Sequence, residues 1–275
     1  MDGSVTTTPP VVLTIAGSDC SAGAGIQADL KTFQHFHTHG LTAITCVVSE
    51  TAEIVREVHP VPIEIVADQV ALMMDSFPVA AVKTGMLYSA EIVRKVAEIL
   101  QNFPNVPLVV DPVMIASTGA SLLELDAILA YRELLLPMAT VITPNLPEAE
   151  ALLGLEIQGE SALAPSAQAL AAEFSTSVLL KGGHLPGPSC TDLLIHENIF
   201  HRYSSPRLEV AASHGTGCTL SAAIAACLAN GQTLPEAVAN SKSYLTATLA
   251  SGYGLTNARG TIHALNQGTL DFSTI

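Results

Sequence analysis

The sequence predicts a three-layer α/β/α domain built on a mostly parallel sheet. Three observations carry this. Short apolar runs alternate with segments of helical spacing almost throughout the chain. Hydrophobic residues make up 49% of it, aromatics 4%, and Trp is absent, so the core must be built from Ala, Val, Ile and Leu. That composition suits parallel strands covered by helices on both faces. Several apolar runs end in polar or glycine-rich loops, where open α/β sheets bind their ligands.

The elements follow in order. Residues 11–16 (VVLTIA) form an apolar run ending in a glycine-rich turn over 17–25, the mark of a buried strand. Residues 26–36 have helical spacing, with Ile26, Leu30 and Phe33 on one face. Strands are expected at 41–48 and 54–59. Pro62 opens a helix over 62–77, along which Ile65, Val66, Val70, Leu72 and Met73 recur. A strand at 79–82 precedes a helix capped by Ser89 and reaching about residue 100. The strand at 107–110 ends in Asp111-Pro112, and a helix over 125–135 follows. The strand at 140–142 ends in Thr143-Pro144-Asn145. Helices at 147–153 and 166–174 lead to a strand at 177–180, which ends in Lys181-Gly182-Gly183. Residues 192–196 and 198–203 predict a hairpin, with Glu197 and Asn198 near its turn. Helices rich in small residues occupy 217–229 and 235–250. No repeat or linker divides the chain, so residues 11–275 are expected to form one domain behind a disordered tail at 1–10.

Charge and cysteine content narrow the function. The formal charge of −14 disfavours nucleic acid and anionic membranes as partners. It leaves room for nucleotides, because clustered N–H donors bind phosphate against the net field. Five cysteines without a CxxC pair argue against a disulfide framework or structural zinc, and fit the reducing cytoplasm. The first ten residues carry no basic region or apolar run of a secretory signal. No apolar stretch predicts a membrane span.

The strongest local motif is His214-Gly215-Thr216-Gly217-Cys218-Thr219-Leu220-Ser221, which opens an Ala-rich helix. Its glycines let backbone approach a ligand, and the helix start favours an anion. Cys218 falls in the first turn, where a thiolate is stabilised. A glycine turn beside a buried, inert cysteine would have the same sequence. Gly17-Ser18-Asp19-Cys20-Ser21-Ala22-Gly23-Ala24-Gly25 leaves room for a ring or phosphate, but it lacks the P-loop ending, and a plain strand-to-helix turn explains it as well. Asp111, Asn145 and Glu148 at strand ends are hard oxygen ligands suited to Mg²⁺ through water. Asn145 and Glu148 also have the spacing of a helix cap. Lys181, one of only 11 Lys and Arg, sits at a strand end where it can face phosphate. His35, His37 and His39 have metal-like spacing, but a solvated helix end explains them better.

Seven segments in one order resemble the hydroxymethylpyrimidine/phosphomethylpyrimidine kinases of the ribokinase-like superfamily. They are TIAGSD (14–19), GAGIQADLKTF (23–33), KTGML (83–87), VVDPVM (109–114), TPNLPEAE (143–150), LLKGGH (179–184) and HGTGCTLSAA (214–223). The resemblance implies a Mg-ATP-dependent kinase that phosphorylates a hydroxymethyl pyrimidine to its monophosphate and then its diphosphate, in thiamine biosynthesis. It implies a homodimer. It casts the Gly215, Thr216, Gly217 and Cys218 amides as an anion hole and Cys218 as the base. Since a free thiol has a pKa of about 8.5, that role expects the helix terminus to lower it. Lys181 takes the ATP phosphates, and Asp111, Asn145 and Glu148 the Mg-ATP shell. Ala24, Val48, Glu50 and Met86 match the pyrimidine pocket, with Asp19 and Gln27 close by. Ser49-Glu50-Thr51-Ala52 departs from the commoner Gln-Asn/Ser-Thr pattern, and Cys20 replaces Pro or Ser. A pyridoxal or pyridoxine kinase and a non-catalytic pyrimidine sensor are the rival readings.

Overall fold

The computed structural model describes residues 8–114, 125–209 and 213–268, so most of the expected tail lies outside the described residues. Nine strands form one sheet: β1 (Val11–Asp19), β2 (His39–Glu50), β3 (Val55–Pro60), β4 (Val79–Thr84), β5 (Leu108–Val110), β6 (Val141–Ile142), β7 (Ser177–Lys181), β8 (Ser189–His196) and β9 (Ile199–Pro206). Their order is β3-β2-β1-β4-β5-β6-β7-β8-β9. Pairing is parallel from β2 to β7 and antiparallel at β3, β8 and β9. The helices are α1 (Gly25–His35), α2 (Ile63–Ser76), α3 (Ala90–Leu100), α4 (Leu125–Ala130), α5 (Leu146–Leu153), α6 (Leu163–Phe174), α7 (Thr216–Ala229) and α8 (Leu234–Ala250).

Strand alternation builds the three layers. Leu13, Val82, Val110, Ile142 and Leu180 face a core with Val66 of α2, Val93 of α3, Leu152 of α5 and Leu170 of α6. Their neighbours Val12, Ala81, Val109, Val141 and Leu179 face the other way, onto Phe33 of α1, Ile224 of α7 and Val238 of α8. The chain leaves β1 toward β2 on one side and returns to β4 on the other, so the β1/β4 carboxyl ends form a switch-point crevice.

The structure departs from the expected elements in several places. β1 runs on to Asp19, past the predicted end at 16, because Gly17 lets the strand pass Cys46. A Cβ at Gly17 would stand 2.8 Å from the Cys46 sulfur. In α1, Leu30 is 36% exposed while Asp29 is fully buried, since the inward face is set by an ion pair as well as by Ile26 and Phe33. In α2 the buried stripe is Val66, Val70 and Met74, and Ile65 and Leu72 are exposed. His35 stacks on Tyr244 at 4.4 Å between ring centroids rather than standing in solvent. The β8–β9 hairpin turns at Glu197 and Asn198, both left-handed at φ 51 and 62, as a two-residue turn requires. A small hairpin, β10 (Tyr253–Asn257) with β11 (Gly260–Ala264), was not expected. Its short, polar, glycine-containing strands lack the apolar runs that marked the others.

Candidate active site

The carboxyl ends of the strands and the start of α7 enclose a cavity of about 390 Å³. That lies in the size range of small-molecule sites. On one side stand Asp19, Ala24, Val48, Glu50 and Met86, and on the other Asp111, Asn145, Glu148, Lys181 and residues Gly215 to Cys218. A second cavity of about 230 Å³ shares Asn145, Lys181, His184, Thr216 and Gly217 with the first. Its wall includes Leu220, Leu245 and Leu249, with Lys242 and Arg207 among its charged residues.

Asp19, at the tip of β1, organises the loop that follows this strand. Its Oδ1 accepts from Ser21 N (2.7 Å), and Oδ2 from Gly23 N (3.0 Å), Ala24 N (2.8 Å) and Ser21 Oγ (3.0 Å). His214 Nε2 lies 2.9 Å from the same Oδ2. Burial alone would raise this carboxyl. His214, the Ala24 and Ser21 amides and the Ser21 hydroxyl outweigh it and hold Asp19 far below the ordinary carboxylate value. The Asp19 bond raises His214 above an ordinary histidine. Glu50 is raised by burial and by Asp19 beside it. Asp19, Glu50 and His214 bring ligand-type atoms within 4.8 Å of one another, but Asp19 Oδ2 is already taken by its donors, so Asp19 and His214 are held as a hydrogen-bonded pair with the Glu50 carboxylate beside them.

On the opposite side, α7 is capped by Gly215, whose φ of +83 is the left-handed region. A Cβ there would stand 1.9 Å from Gly23 O, so only glycine lets the two glycine-rich segments touch. Thr216 N–H makes only a long contact to Ser213 O, at 3.4 Å. The helical ladder starts with Thr219 N on Gly215 O at 2.9 Å, and the Gly217 and Cys218 amides lie between these bonds.

Lys181 Nζ donates to Asp111 Oδ1 at 3.1 Å, and Thr143 and Ser221 hydroxyls bond the same carboxylate at 3.2 Å each. Burial would lower Lys181, but Asp111 and Glu148 outweigh it and keep the ammonium charged. Asn145 and Glu148 form a reciprocal capping box at 2.9 Å in both directions. Burial pushes Glu148 up, and Asp111 adds to that push against Lys181. The buried carboxylates of Asp111 and Glu148 with the half-buried amide of Asn145 are a hard-oxygen donor set that fits Mg²⁺.

Cys218 departs from expectation. Burial pushes its thiol up to about 11, against the opposing field of Lys83 and a backbone bond from Gly25. The helix terminus does not bring it down to neutral pH. Lys83 is itself fully buried, donating to Asp29 Oδ2 at 2.8 Å and Oδ1 at 3.0 Å, while Thr14 Oγ1 donates to Oδ2 at 2.6 Å.

The structure brings 13 of the 14 residues singled out in the sequence to the wall of one cavity. Gln27 is the exception. It stands behind the loop, accepting from Asp19 N at 3.0 Å and donating to Ser18 Oγ at 2.8 Å. Sequence reasoning gave no role to His214, Lys83, Asp29 or Ser221. A histidine directly before the Gly-Thr-Gly-Cys turn, and a lysine ending an apolar strand, were the signals available.

Comparison with known proteins fits this geometry. Residues 19–263 match the family model described as phosphomethylpyrimidine kinase. The chain belongs to the phosphomethylpyrimidine kinase family. Its relatives include the hydroxymethylpyrimidine/phosphomethylpyrimidine kinase of Streptomyces coelicolor, 44% identical over 93% of this chain and 94% of that protein. The chain is also 42% identical to the thiamine biosynthesis bifunctional protein ThiED of Geobacter sulfurreducens, of which it spans about half (51%). Among solved structures, phosphomethylpyrimidine kinase of Clostridium difficile is 40% identical, with a TM-score of 0.77 over 86% of this chain and 98% of that one. Pyridoxal kinase of Staphylococcus aureus with AMP-PCP and pyridoxal is 34% identical, with a TM-score of 0.86 over 95% of this chain and 94% of that one. Membership of the phosphomethylpyrimidine kinase family makes the protein a phosphotransferase of ribokinase-like fold.

Proposed function

We propose that the protein transfers the terminal phosphoryl group of Mg-ATP to the hydroxymethyl group of an aminopyrimidine, and then phosphorylates that monophosphate, as a step in thiamine biosynthesis. The observation that carries this reading is the single cavity in which an acceptor pocket, Lys181 and the Gly-Thr-Gly-Cys turn face one another. Phosphoryl transfer depends on positioning and electrostatic stabilisation. Ala24, Val48, Met86 and Glu50 would hold the ring, with the Glu50 carboxylate accepting from its amine. The adjoining cavity, with Leu245, Leu249, Lys242 and Arg207, would take the nucleotide. Asp111, Asn145 and Glu148 would hold Mg²⁺ through water, where the ion neutralises phosphate charge. Lys181 would press on the transferring group, and the Gly217 and Cys218 amides would meet its developing charge.

Cys218 takes the proton of the acceptor hydroxyl in this reading. With the thiol at about 11, roughly one molecule in 10⁴ carries thiolate at pH 7. The first transfer should therefore speed up about tenfold per pH unit below that value. The second transfer, whose acceptor is already a phosphate, needs no base. A product-resolved assay with hydroxymethylpyrimidine, its monophosphate and pyridoxal tests this. Diphosphate with slow pyridoxal turnover is the expected result, and fast pyridoxal turnover with little pyrimidine product would reassign the substrate. Cys218→Ala should slow the first transfer far more than the second, and equal losses would reject the base role.

The reading extends to one kinase unit over residues 11–275, a cytoplasmic setting in which the five thiols stay free, and a homodimer. Exposed Val47, Ile54, Ile65 and Leu72 along β2, α2 and the loop before β3 support self-association. No helix among the described residues is long and apolar enough to cross a membrane.

A further inference from the structure

We propose that His214 is a positioning residue that clasps the acceptor loop to the phosphoryl-transfer turn, so that the two halves of the site move as one. The inference rests on the proposed reading of those halves. His214 directly precedes Gly215, and its Nε2 lies 2.9 Å from Asp19 Oδ2. Asp19 is 1% exposed and already gathers Ser21, Gly23 and Ala24, the last of which lines the acceptor pocket. One carboxylate thus ties the loop's backbone to the residue that begins the turn.

The contact is too close to be incidental. A Cβ on Gly23 would stand 2.6 Å from His214 Cδ2, and one on Gly215 1.9 Å from Gly23 O. Gln267, 1% exposed, adds a second tie: its Nε2 donates to Gly23 O and to Thr219 Oγ1, at 2.9 Å each. That tie joins the same two segments from the opposite end of the chain. Lys31 Nζ donates to Ala22 O at 2.6 Å and to Gln267 Oε1 at 3.5 Å, but His214 is the cation whose own bond to Asp19 spans the two segments.

The charged groups facing His214 are Asp19 from β1 and Glu50 from β2, with Lys31 of α1 acting on Asp19 in turn. Both facing groups are acidic, so they favour the imidazolium. As pH rises through the raised His214 value, the ion pair becomes a neutral hydrogen bond and the clasp weakens. The affected quantity is acceptor binding, because His214 lines the first cavity and not the adjoining one.

The test compares wild type, His214→Ala and His214→Gln, the last keeping a donor that does not titrate. Losing a charge-assisted bond should raise the acceptor KM about tenfold or more in His214→Ala, with the Mg-ATP KM within about twofold. His214→Gln should recover most of the acceptor KM and abolish its rise with pH. Amide exchange at Ser21, Gly23 and Ala24 reads the clasp without ligand. It should be at least about tenfold faster in His214→Ala and near wild type in His214→Gln. Unchanged exchange, equal rises in both KM values, or a wild-type pH profile in His214→Gln would overturn the proposal. Absence of wild-type turnover would defeat the functional reading alone, and the exchange data would still decide the clasp.

Discussion

Replacing Lys83 by Met should cost more stability than any surface change, and the structure says why. Lys83 and Asp29 are both fully buried, with two donor contacts of 2.8 and 3.0 Å between them and a third from Thr14 at 2.6 Å. Burial would lower Lys83, but Asp29 outweighs it and holds the ammonium well above the ordinary lysine value. Burial likewise pushes Asp29 up, against the pull of Lys83. The pair pulls in opposite senses, and the three short donors to one carboxylate decide for the charged form. Removing the lysine strands a buried carboxylate, a loss of about 3–5 kcal/mol. At about 2–4 °C per kcal/mol for a domain of this class, the melting temperature should fall by about 6–20 °C. Adding Asp29→Asn removes the stranded charge, so the double variant should be more stable than Lys83→Met alone. Thermal melts of wild type, both single variants and the double variant give the coupling directly. Losses that add within about 0.5 kcal/mol would refute the argument. Alkylation supplies a second readout, since without the Lys83 field the Cys218 thiol should react more slowly at a given pH.

Gly215→Ala should abolish turnover and destabilise the protein by at least about 1–3 kcal/mol from backbone strain, because φ is +83 and the new Cβ would overlap Gly23 O; wild-type melting and activity would refute it. The Asp19–His214 pair should also shape stability against pH. Asp19, depressed in the folded state, contributes fully above about pH 3.9 and loses that contribution as pH falls through its folded value. His214, raised in the folded state, contributes fully below about pH 6.5 and loses that contribution as pH rises through its folded value. Urea midpoints across pH should therefore show both limbs in wild type and both reduced in Asp19→Asn, with Glu50 keeping part of the His214 limb.

Sequence patterning exposed the layers because each parallel strand is covered on both faces. Pairs such as Val109–Val110 and Val141–Ile142 are apolar at every position. The motif residues also converged, because loops at carboxyl ends of neighbouring strands have nowhere else to meet. What stayed hidden was pairing over distance. Asp29 looks like an exposed helical carboxylate until Lys83, 54 residues on, is placed beneath it. His214 looks like punctuation before a glycine turn until Asp19, 195 residues earlier, is placed beside it. The Cys218 thiol misled for a related reason. Its helix position was readable, but its burial among Asp29 and Asp111 was not, and burial decides its proton affinity.

The charge distribution explains how so acidic a protein can hold a polyphosphate. The chain has 25 Asp and Glu against 11 Lys and Arg. Lys181, Arg207 and Lys242 nonetheless line one cavity. Two of them are held by carboxylates that have further donors: Lys181 by Asp111, which also accepts from the Thr143 and Ser221 hydroxyls at 3.2 Å each, and Lys242 by Asp192, whose Oδ1 accepts from Gly182 N at 3.0 Å. Arg207 instead donates to the carbonyls of Gly183, Leu185 and Gly187. The cations are thus fixed to the loop after β7 and to the strand ends before a ligand arrives, so little ordering cost remains on binding. Added to the amides of the α7 start, they give a short-range attractive field inside a repulsive one. A ligand must bring its negative charge to that one place to gain from it, which favours a compact polyphosphate over an extended polyanion.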